Sequence, residues 1–179
     1  FTLRDVIASG VAELTLAEEV DLGITGGPIK DAELELLLSS VDRMHAVFPA
    51  GHALDDGTSP TLAAVARHPL VLMSRATSVR AVVDAAIAAA GLSAKIAAEA
   101  TYMSTAVGMV RAGMGIAILP ETAMEIGALP MLRSALIGDP RLARSISVIK
   151  RRGRTLPPAS AAFLEHLGAA FDALEPDGR

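Results

Sequence analysis

Three residues that could hold an anion follow a predicted buried strand over 70–73. Thr77, Ser78 and Arg80 stand at the start of a predicted helix over 79–90. Where a strand gives way to a helix, backbone N–H groups are left unpaired, and the positive end of the helix dipole adds to their attraction for negative charge. N-capping by Thr77 or Ser78 explains the same residues, and a cap position can also be an anion site. Arg80 either adds its charge to such a site or faces solvent.

A second hydroxyl-rich junction follows the predicted strand over 95–100. It contains Tyr102, Met103, Ser104 and Thr105, which lead into the next predicted helix. The ring of Tyr102 has an apolar face and a hydroxyl, a combination that suits a small organic acid or ordinary packing. Capping of the helix by Ser104 is the alternative role for the serine hydroxyl. The two junctions together predict a site for a small anion.

A glycine-rich loop forms the third candidate binding segment. Gly26, Gly27 and Pro28 follow a predicted strand over 20–25. Glycine allows a ligand to approach the backbone closely, although the same triplet also suits a plain turn.

The sequence contains no motif that is typical of covalent catalysis or of a metal site. The chain has no cysteine, and its histidines lack the i, i+4 spacing and the neighbouring carboxylates of a metal site. These histidines are His45, His52, His68 and His166. No serine lies in a Gly-x-Ser-x-Gly elbow, and Gly113-Met114-Gly115 follows a helix pattern, which is the reverse of a dinucleotide fingerprint. We therefore expect no enzyme activity, no metal and no cofactor.

The composition is apolar and acidic. Of 179 residues, 51% are hydrophobic and 3% aromatic, and the formal net charge is −4. A large core is possible, but the basic surface and stacking aromatics of a nucleic-acid-binding domain are missing. The basic run over 150–154 is more typical of a solvated turn than of a DNA-binding patch. No apolar run approaches the roughly 20 residues that span a bilayer, and the lack of cysteine fits a cytoplasmic protein.

Strand and helix patterns alternate, which indicates an α/β fold with a largely parallel sheet. Strands are predicted over 1–4, 20–25, 34–40, 44–49, 70–73, 95–100, 116–119 and 144–150. Helices are predicted over 11–19, 61–66, 79–90, 104–112 and 122–126, and a last amphipathic helix follows Pro157-Pro158. The strand over 116–119, Ile-Ala-Ile-Leu, carries no charge and is expected to be buried on both faces.

The order of these elements predicts two lobes. Residues 49–140 form a complete alternating unit, lobe II, and residues 1–48 and 141–179 share another sheet, lobe I. The expected architecture is two Rossmann-like lobes joined by two crossover strands. A cleft beyond the carboxyl ends of the strands is where such folds bind small ligands.

Several segments resemble, in order, the effector-binding domain of LysR-type transcriptional regulators, which has the type II periplasmic-binding-protein fold. They are Glu-Val-Asp-Leu-Gly-Ile at 19–24, Phe-Pro-Ala-Gly-His-Ala-Leu at 48–54, Ser-Val-Arg at 78–80, Val-Arg-Ala-Gly-Met-Gly-Ile-Ala-Ile-Leu-Pro at 110–120 and Pro-Pro-Ala-Ser-Ala-Ala-Phe-Leu at 157–164. Each segment is a weak signal alone, whereas the ordered set spans nearly the whole chain.

The resemblance implies a regulatory domain that binds a small anionic metabolite, expected to be a carboxylate, in the cleft between the lobes. It implies that both junctions line this cleft and that the loop after the first-lobe strand contributes to it. It also implies a homo-oligomer, either dimer or tetramer, without membrane contact. DNA would be bound only through the family's winged helix-turn-helix, which this sequence lacks. The family's first effector-domain strand and helix are also not found, since residues 1–5 resemble its second strand, and we expect a longer parent protein.

Two other functions stay open at this point. A solute-binding protein of a transporter shares the architecture, and so do enzymes such as porphobilinogen deaminase. That enzyme attaches its cofactor through cysteine, which this chain lacks. A signal peptide upstream would favour the transport protein, whereas an upstream helix-turn-helix would favour the regulator.

Overall fold

Helices and strands alternate along the chain, as the sequence pattern predicts. The computed structural model describes residues 1–123 and 130–174. The order of elements is α1 (Ala8–Leu16), β1 (Gly23–Gly26), β2 (Leu34–Pro49), α2 (Leu62–Val65), β3 (Leu70–Met73), α3 (Ser78–Ala89), β4 (Ile96–Ala100), α4 (Met103–Arg111), β5 (Ile116–Pro120), β6 (Leu132–Leu136), β7 (Ala143–Arg151) and α5 (Pro158–Leu174). The helix predicted over 122–126 lies partly outside the described residues.

The chain divides into two compact units. The first comprises Phe1–Asp42 and Arg144–Arg179, and the second comprises Arg43–Ala143. Strand β2 begins in the first unit and ends in the second. The division into two lobes at 48/49 and 140/141 stays a prediction.

The second unit contains a mixed sheet. Strand β3 pairs in parallel with β4 on one side and with β5 on the other. Strand β2 pairs antiparallel with both β5 and β6. The predicted parallel arrangement therefore holds for β4, β3 and β5, and β2 and β6 extend the sheet in the antiparallel sense.

The core of the second unit centres on β3 and β5. Their four-residue stretches Leu70–Met73 and 116–119 are buried throughout. This confirms the prediction that the uncharged strand Ile-Ala-Ile-Leu is covered on both faces. Helices α3 and α4 pack on the sheet through buried valines, among them Val83 and Val107.

Two glycines shape the connection from α4 to β5. Gly113 has φ +78°, and the N–H groups of Gly113 and Met114 donate to the carbonyls of Val110 and Met109, which closes the helix in a Schellman motif. Gly115 has φ +157°, and a Cβ there would overlap the carbonyl oxygen of Pro69. Both glycines therefore have structural roles in ending α4 and starting β5.

In the first unit, β7 lies between β1 and β2. The basic run at its end is engaged with the protein: the guanidinium of Arg152 donates to the carbonyls of Ala32 and Leu34, and that of Arg154 lies 2.6 Å from Asp21 Oδ1. The run ends in an exposed turn at Arg152 and Gly153, as predicted, and its guanidinium groups also bond to the protein. Arg152 contacts the segment that leads into β2, and Arg154 contacts the segment before β1.

Several predicted boundaries differ from the structure. Residues 1–4 form no strand, because they pair with no other strand of the described chain, and Phe1 and Leu3 are exposed. Helix α1 ends at Leu16 rather than at residue 19, because Glu18 adopts φ +59° and turns the chain. The two strands expected over 34–40 and 44–49 are one continuous strand.

Candidate functional site

The two predicted anion-binding junctions lie side by side at one edge of the sheet. Strands β3 and β4 are parallel, and their last residues, Met73 and Ala100, are register partners. Beyond them, the N–H of Ser74 donates to the carbonyl of Ala100 at 2.7 Å. The structure therefore brings the Thr77–Ser78 junction and the Tyr102–Thr105 junction together within the second unit.

The connections that follow these two strands run in opposite directions across the sheet. The chain runs from β3 through α3 to β4, and then from β4 through α4 back across β3 to β5. Because crossovers between parallel strands are right-handed, these opposite directions place α3 and α4 on opposite faces of the sheet. A point where the direction of winding reverses is the usual ligand position in an open α/β sheet.

The N-terminus of α3 is capped by its own sequence. Thr77 Oγ1 accepts a hydrogen bond from the N–H of Arg80 at 3.2 Å and donates one to the carbonyl of Ser74 at 2.8 Å. N-capping by Thr77, the alternative weighed against a binding role, is confirmed. The donor of this hydroxyl is already used, which leaves one lone pair for any ligand. Ser78 is half-buried in the first turn.

The N-terminus of α4, in contrast, has no side-chain cap. Tyr102 occupies the cap position and accepts nothing through its side chain. The first bond of the helix runs from the N–H of Ala106 to the carbonyl of Tyr102. The N–H groups of Met103, Ser104 and Thr105 have no acceptor among the described residues, as expected for the open end of a helix.

The side chains at this open end differ in exposure. Ser104 and Thr105 are exposed, and neither hydroxyl has a hydrogen-bond partner in the described part of the chain. Tyr102 is 62% exposed, whereas Met103 is half-buried and packs against the core. Capping by Ser104 is wrong, because the helix begins one residue before the predicted start and places this serine inside the first turn.

Arg80 has a different position from the one expected for a ligand contact. Its side chain is 2% exposed, and its guanidinium lies 2.8 Å from Asp84 Oδ1 and 2.6 Å from Glu99 Oε1. It also donates to the carbonyl of Met73 at 3.1 Å. Burial lowers the pKa of this guanidinium, but the hydrogen bonds that it donates to Glu99 and Asp84 outweigh burial, so the pKa lies above its ordinary value. These contacts are structural, and the predicted effector contact finds no support in them.

The glycine loop belongs to the first unit. Gly26 is the last residue of β1, and Gly27 is buried with φ +96°. The N–H of Gly27 donates to the carbonyl of Ser145, and its carbonyl accepts from Ser145 Oγ. Only Pro28 of the triplet is exposed. The observed turn uses the polar groups of Gly27, and a ligand contact by this triplet stays a prediction.

Sequence reasoning missed Asp84 and Glu99 at this site. Asp84 stands four residues after Arg80 on one helix, a spacing that signals an ion pair. Glu99 lies on the neighbouring strand, and no local pattern connects it with Arg80. Across residues 1–123 and 130–174, no group of three His, Asp or Glu side chains converges as a metal site.

The family model of the LysR substrate binding domain matches residues 1–172. The chain belongs to this family. An uncharacterised HTH-type transcriptional regulator of Shigella flexneri, YfeR, is 30% identical over 166 residues, which cover 91% of this chain and 53% of YfeR. This LysR-family chain thus spans about half the length of that relative.

Solved effector domains share the fold. The effector-binding domain of QuiR in complex with shikimate superposes with a TM-score of 0.79 at 20% identity, over 96% of this chain and 81% of that one. The regulatory domain of Synechocystis PCC6803 CcmR in complex with 2-PG gives 0.81 at 17% identity, over 96% and 83%. The type II periplasmic-binding-protein-like architecture is therefore shown. None of the helices in the described ranges combines the length and apolar character of a membrane span.

Proposed function

We propose that this LysR-family domain senses a small anionic effector, which binds at the junctions that follow β3 and β4. The observation that carries the proposal is the uncapped N-terminus of α4 beside the capped N-terminus of α3. Both ends meet at the carboxyl edge of two paired parallel strands. Free N–H groups and the helix dipole favour a negative group there.

The chemistry of the α4 end suits a small carboxylate or phosphate. Three unpaired N–H groups and the hydroxyls of Ser104 and Thr105 can donate to its oxygens, while the exposed ring of Tyr102 offers an apolar face. QuiR was solved with shikimate and CcmR with 2-PG, two small ligands held by the same fold. Their presence supports a small-acid effector for this chain.

The proposed role is regulatory rather than catalytic. No His or Lys belongs to the two junctions, 74–78 and 101–105, so they hold donors but no base that would activate a serine. The effector would bias one arrangement of the domain over another through its differential affinity. That bias would pass to a DNA-binding segment of a cytoplasmic, homo-oligomeric parent protein.

Isothermal titration with shikimate, 2-PG and a panel of small carboxylic acids tests this function. We expect at least one acid to bind the chain. A Ser104→Ala, Thr105→Ala double variant should bind it about tenfold more weakly or worse, because each hydrogen bond to a charged group contributes roughly 1.5–3 kcal/mol. Ser93→Ala is the matched control, since this exposed serine precedes β4 at the opposite end of the strand. Equal affinities of the double variant and the control would refute the site.

A further inference from the structure

One buried cation ties together β3, α3 and β4, three of the four elements that carry the two junctions. Arg80 lies in the first turn of α3, its guanidinium donates to the carbonyl of Met73 at the end of β3, and it pairs with Glu99 of β4. The side chain is 2% exposed and fully surrounded by protein. A guanidinium has donors in a fixed planar arrangement, so several partners held at once define its position closely.

The two carboxylates that hold Arg80 have different structural consequences. Asp84 stands on the same helix, and its 2.8 Å contact joins α3 only to itself. Glu99 stands on β4, and its 2.6 Å contact joins α3 to the strand that leads into α4. The two carboxylates are alike in charge and exposure, at 43% and 46% of their side-chain surface. Only the second pair connects one junction with the other.

The contact of Glu99 is close to the proposed anion site along the chain. Glu99 is followed by Ala100, whose carbonyl accepts from the N–H of Ser74, and three residues after Glu99 comes the open cap position Tyr102. A change in the Arg80–Glu99 pair therefore reaches both helix N-termini through few covalent bonds.

We infer that the Arg80–Glu99 pair is a positioning device for the effector site. It sets the N-terminus of α4 relative to that of α3 without touching the effector. This inference rests on the proposed function. It identifies the contact that fixes the relative position of the two helix N-termini at the proposed site. An effector that bridges the two helix ends needs their spacing held, because binding affinity depends on donors that are already in place. The pair acts through Met103, Ser104 and Thr105, whose N–H groups are the proposed donors.

Two variants, each of which neutralises one carboxylate, distinguish a positioning role from a through-space effect of charge. Glu99→Gln and Asp84→Asn each remove one negative charge near an anion site, so through-space charge alone predicts tighter anion binding in both. Positioning by the inter-element pair predicts weaker binding in Glu99→Gln only, by roughly two- to thirtyfold, the range found for residues that act through a network. The probes are sodium sulfate, shikimate and 2-PG. Their binding is measured from the changes in the amide chemical shifts of residues 103–105 during titration.

A second readout needs no ligand. In the free chain, hydrogen exchange at the amides of Met103, Ser104 and Thr105 should speed up in Glu99→Gln and stay unchanged in Asp84→Asn. The buried amide of Ile118 in β5 reports overall stability and should exchange at the same rate in both. A purely stabilising role would instead raise exchange at Ile118 as well.

The outcomes distinguish the two proposals. Equal affinities and equal exchange rates in Glu99→Gln and Asp84→Asn overturn the positioning role while the proposed function stands. Failure of the unmodified chain to bind these probes and every acid of the carboxylic acid panel overturns the proposed function, and the exchange rates still decide whether Glu99 orders the start of α4. Weaker binding with faster exchange only in Glu99→Gln supports the inference.

Discussion

At the scale of single residues, Ser40 is a polar group without a partner. Its side chain is 4% exposed, and Ser40 Oγ has no hydrogen-bond partner in the described structure. A buried hydroxyl that loses water without gaining a protein partner lowers stability by roughly 1–3 kcal/mol. We expect Ser40→Ala to raise the free energy of unfolding by about 1 kcal/mol in urea denaturation.

Ser147→Ala is the matched control for this prediction. Ser147 is equally buried, but its hydroxyl lies 3.3 Å from that of Ser39. Its removal takes away this hydrogen bond, although water still reaches the exposed hydroxyl of Ser39, and should lower stability by about 0.5 kcal/mol. If Ser40→Ala were as destabilising as Ser147→Ala, the account of an unpartnered hydroxyl would be wrong.

His52 gives the fold a dependence on pH. Burial lowers the pKa of its imidazole, and neighbouring His68, with ring centroids 4.7 Å apart, lowers it further. Its Nδ1 also accepts the N–H of Leu54, a bond that protonation of this nitrogen removes. The unfolded chain takes up the proton near pH 6.5, while the folded chain resists it until a lower pH.

Stability should consequently be at its full value above about pH 6.5 and should fall as the pH drops below it. His52→Gln removes this proton uptake and flattens that part of the curve. Urea denaturation midpoints measured from pH 7.5 to pH 5 check the slope. A variant that loses stability with acid as steeply as the unmodified chain would show that another group is responsible.

At the scale of elements, the link from α4 to β5 depends on two glycines for different reasons. Gly113 needs only its positive φ, and no atom lies within 4 Å of an added Cβ. Gly115 adds a steric conflict with the carbonyl of Pro69, which also accepts the N–H of Ile116. Gly113→Ala should therefore lower the free energy of unfolding by about 1 kcal/mol, and Gly115→Ala by roughly 2–4 kcal/mol. Equal losses in thermal or urea unfolding would contradict this ranking.

A second prediction at this scale concerns the N-terminus of α4, which has no side-chain cap. Tyr102→Asp places an N-cap carboxylate where the helix has none, and a good cap stabilises a protein by about 0.5–2 kcal/mol. The same carboxylate occupies the N–H groups proposed for the effector and repels its charge. We therefore expect Tyr102→Asp to be more stable than the unmodified chain and to lose anion binding. Tyr102→Asn, which caps without charge, is the control and should lose less affinity for sulfate in calorimetric titration.

Most elements were predictable because their signals are local. The buried strands β3 and β5 follow from uncharged runs, and Gly91 and Gly113 mark helix ends in the left-handed conformation that glycine favours. Helix α1 ends in the same way at Glu18, a residue type that gives no such signal. Strand β6 was not predicted, since Leu-Arg-Ser-Ala-Leu becomes a strand only by pairing with β2.

The sequence predicts where the candidate site lies, but not the ion-pair partners of the residues around it. Hydroxyls after two strands signal two helix starts, and parallel pairing of those strands brings them together. The burial of Arg80 depends on Glu99, 19 residues away on another element, so the sequence alone suggested a ligand contact instead. The unbroken course of β2 has a similar cause, because Asp42 is buried against Arg144, 102 residues further along.

At the scale of the whole molecule, the chain passes twice between its two compact units. Asp42 and Arg144 are the residues of the first unit at these two passages, and they form an ion pair of 2.9 Å. The two strands that connect the units are therefore fixed to each other where they leave the first one. The chain corresponds to about half of YfeR, of which 53% is matched.

A map of backbone amide shifts in the labelled chain, recorded during titration with shikimate, 2-PG and sodium sulfate, shows where an anion binds. We expect saturable shifts that are largest at Met103, Ser104 and Thr105 and that vanish in Tyr102→Asp. Saturable shifts centred on any other part of the chain, with these three amides unmoved, would contradict the proposed site.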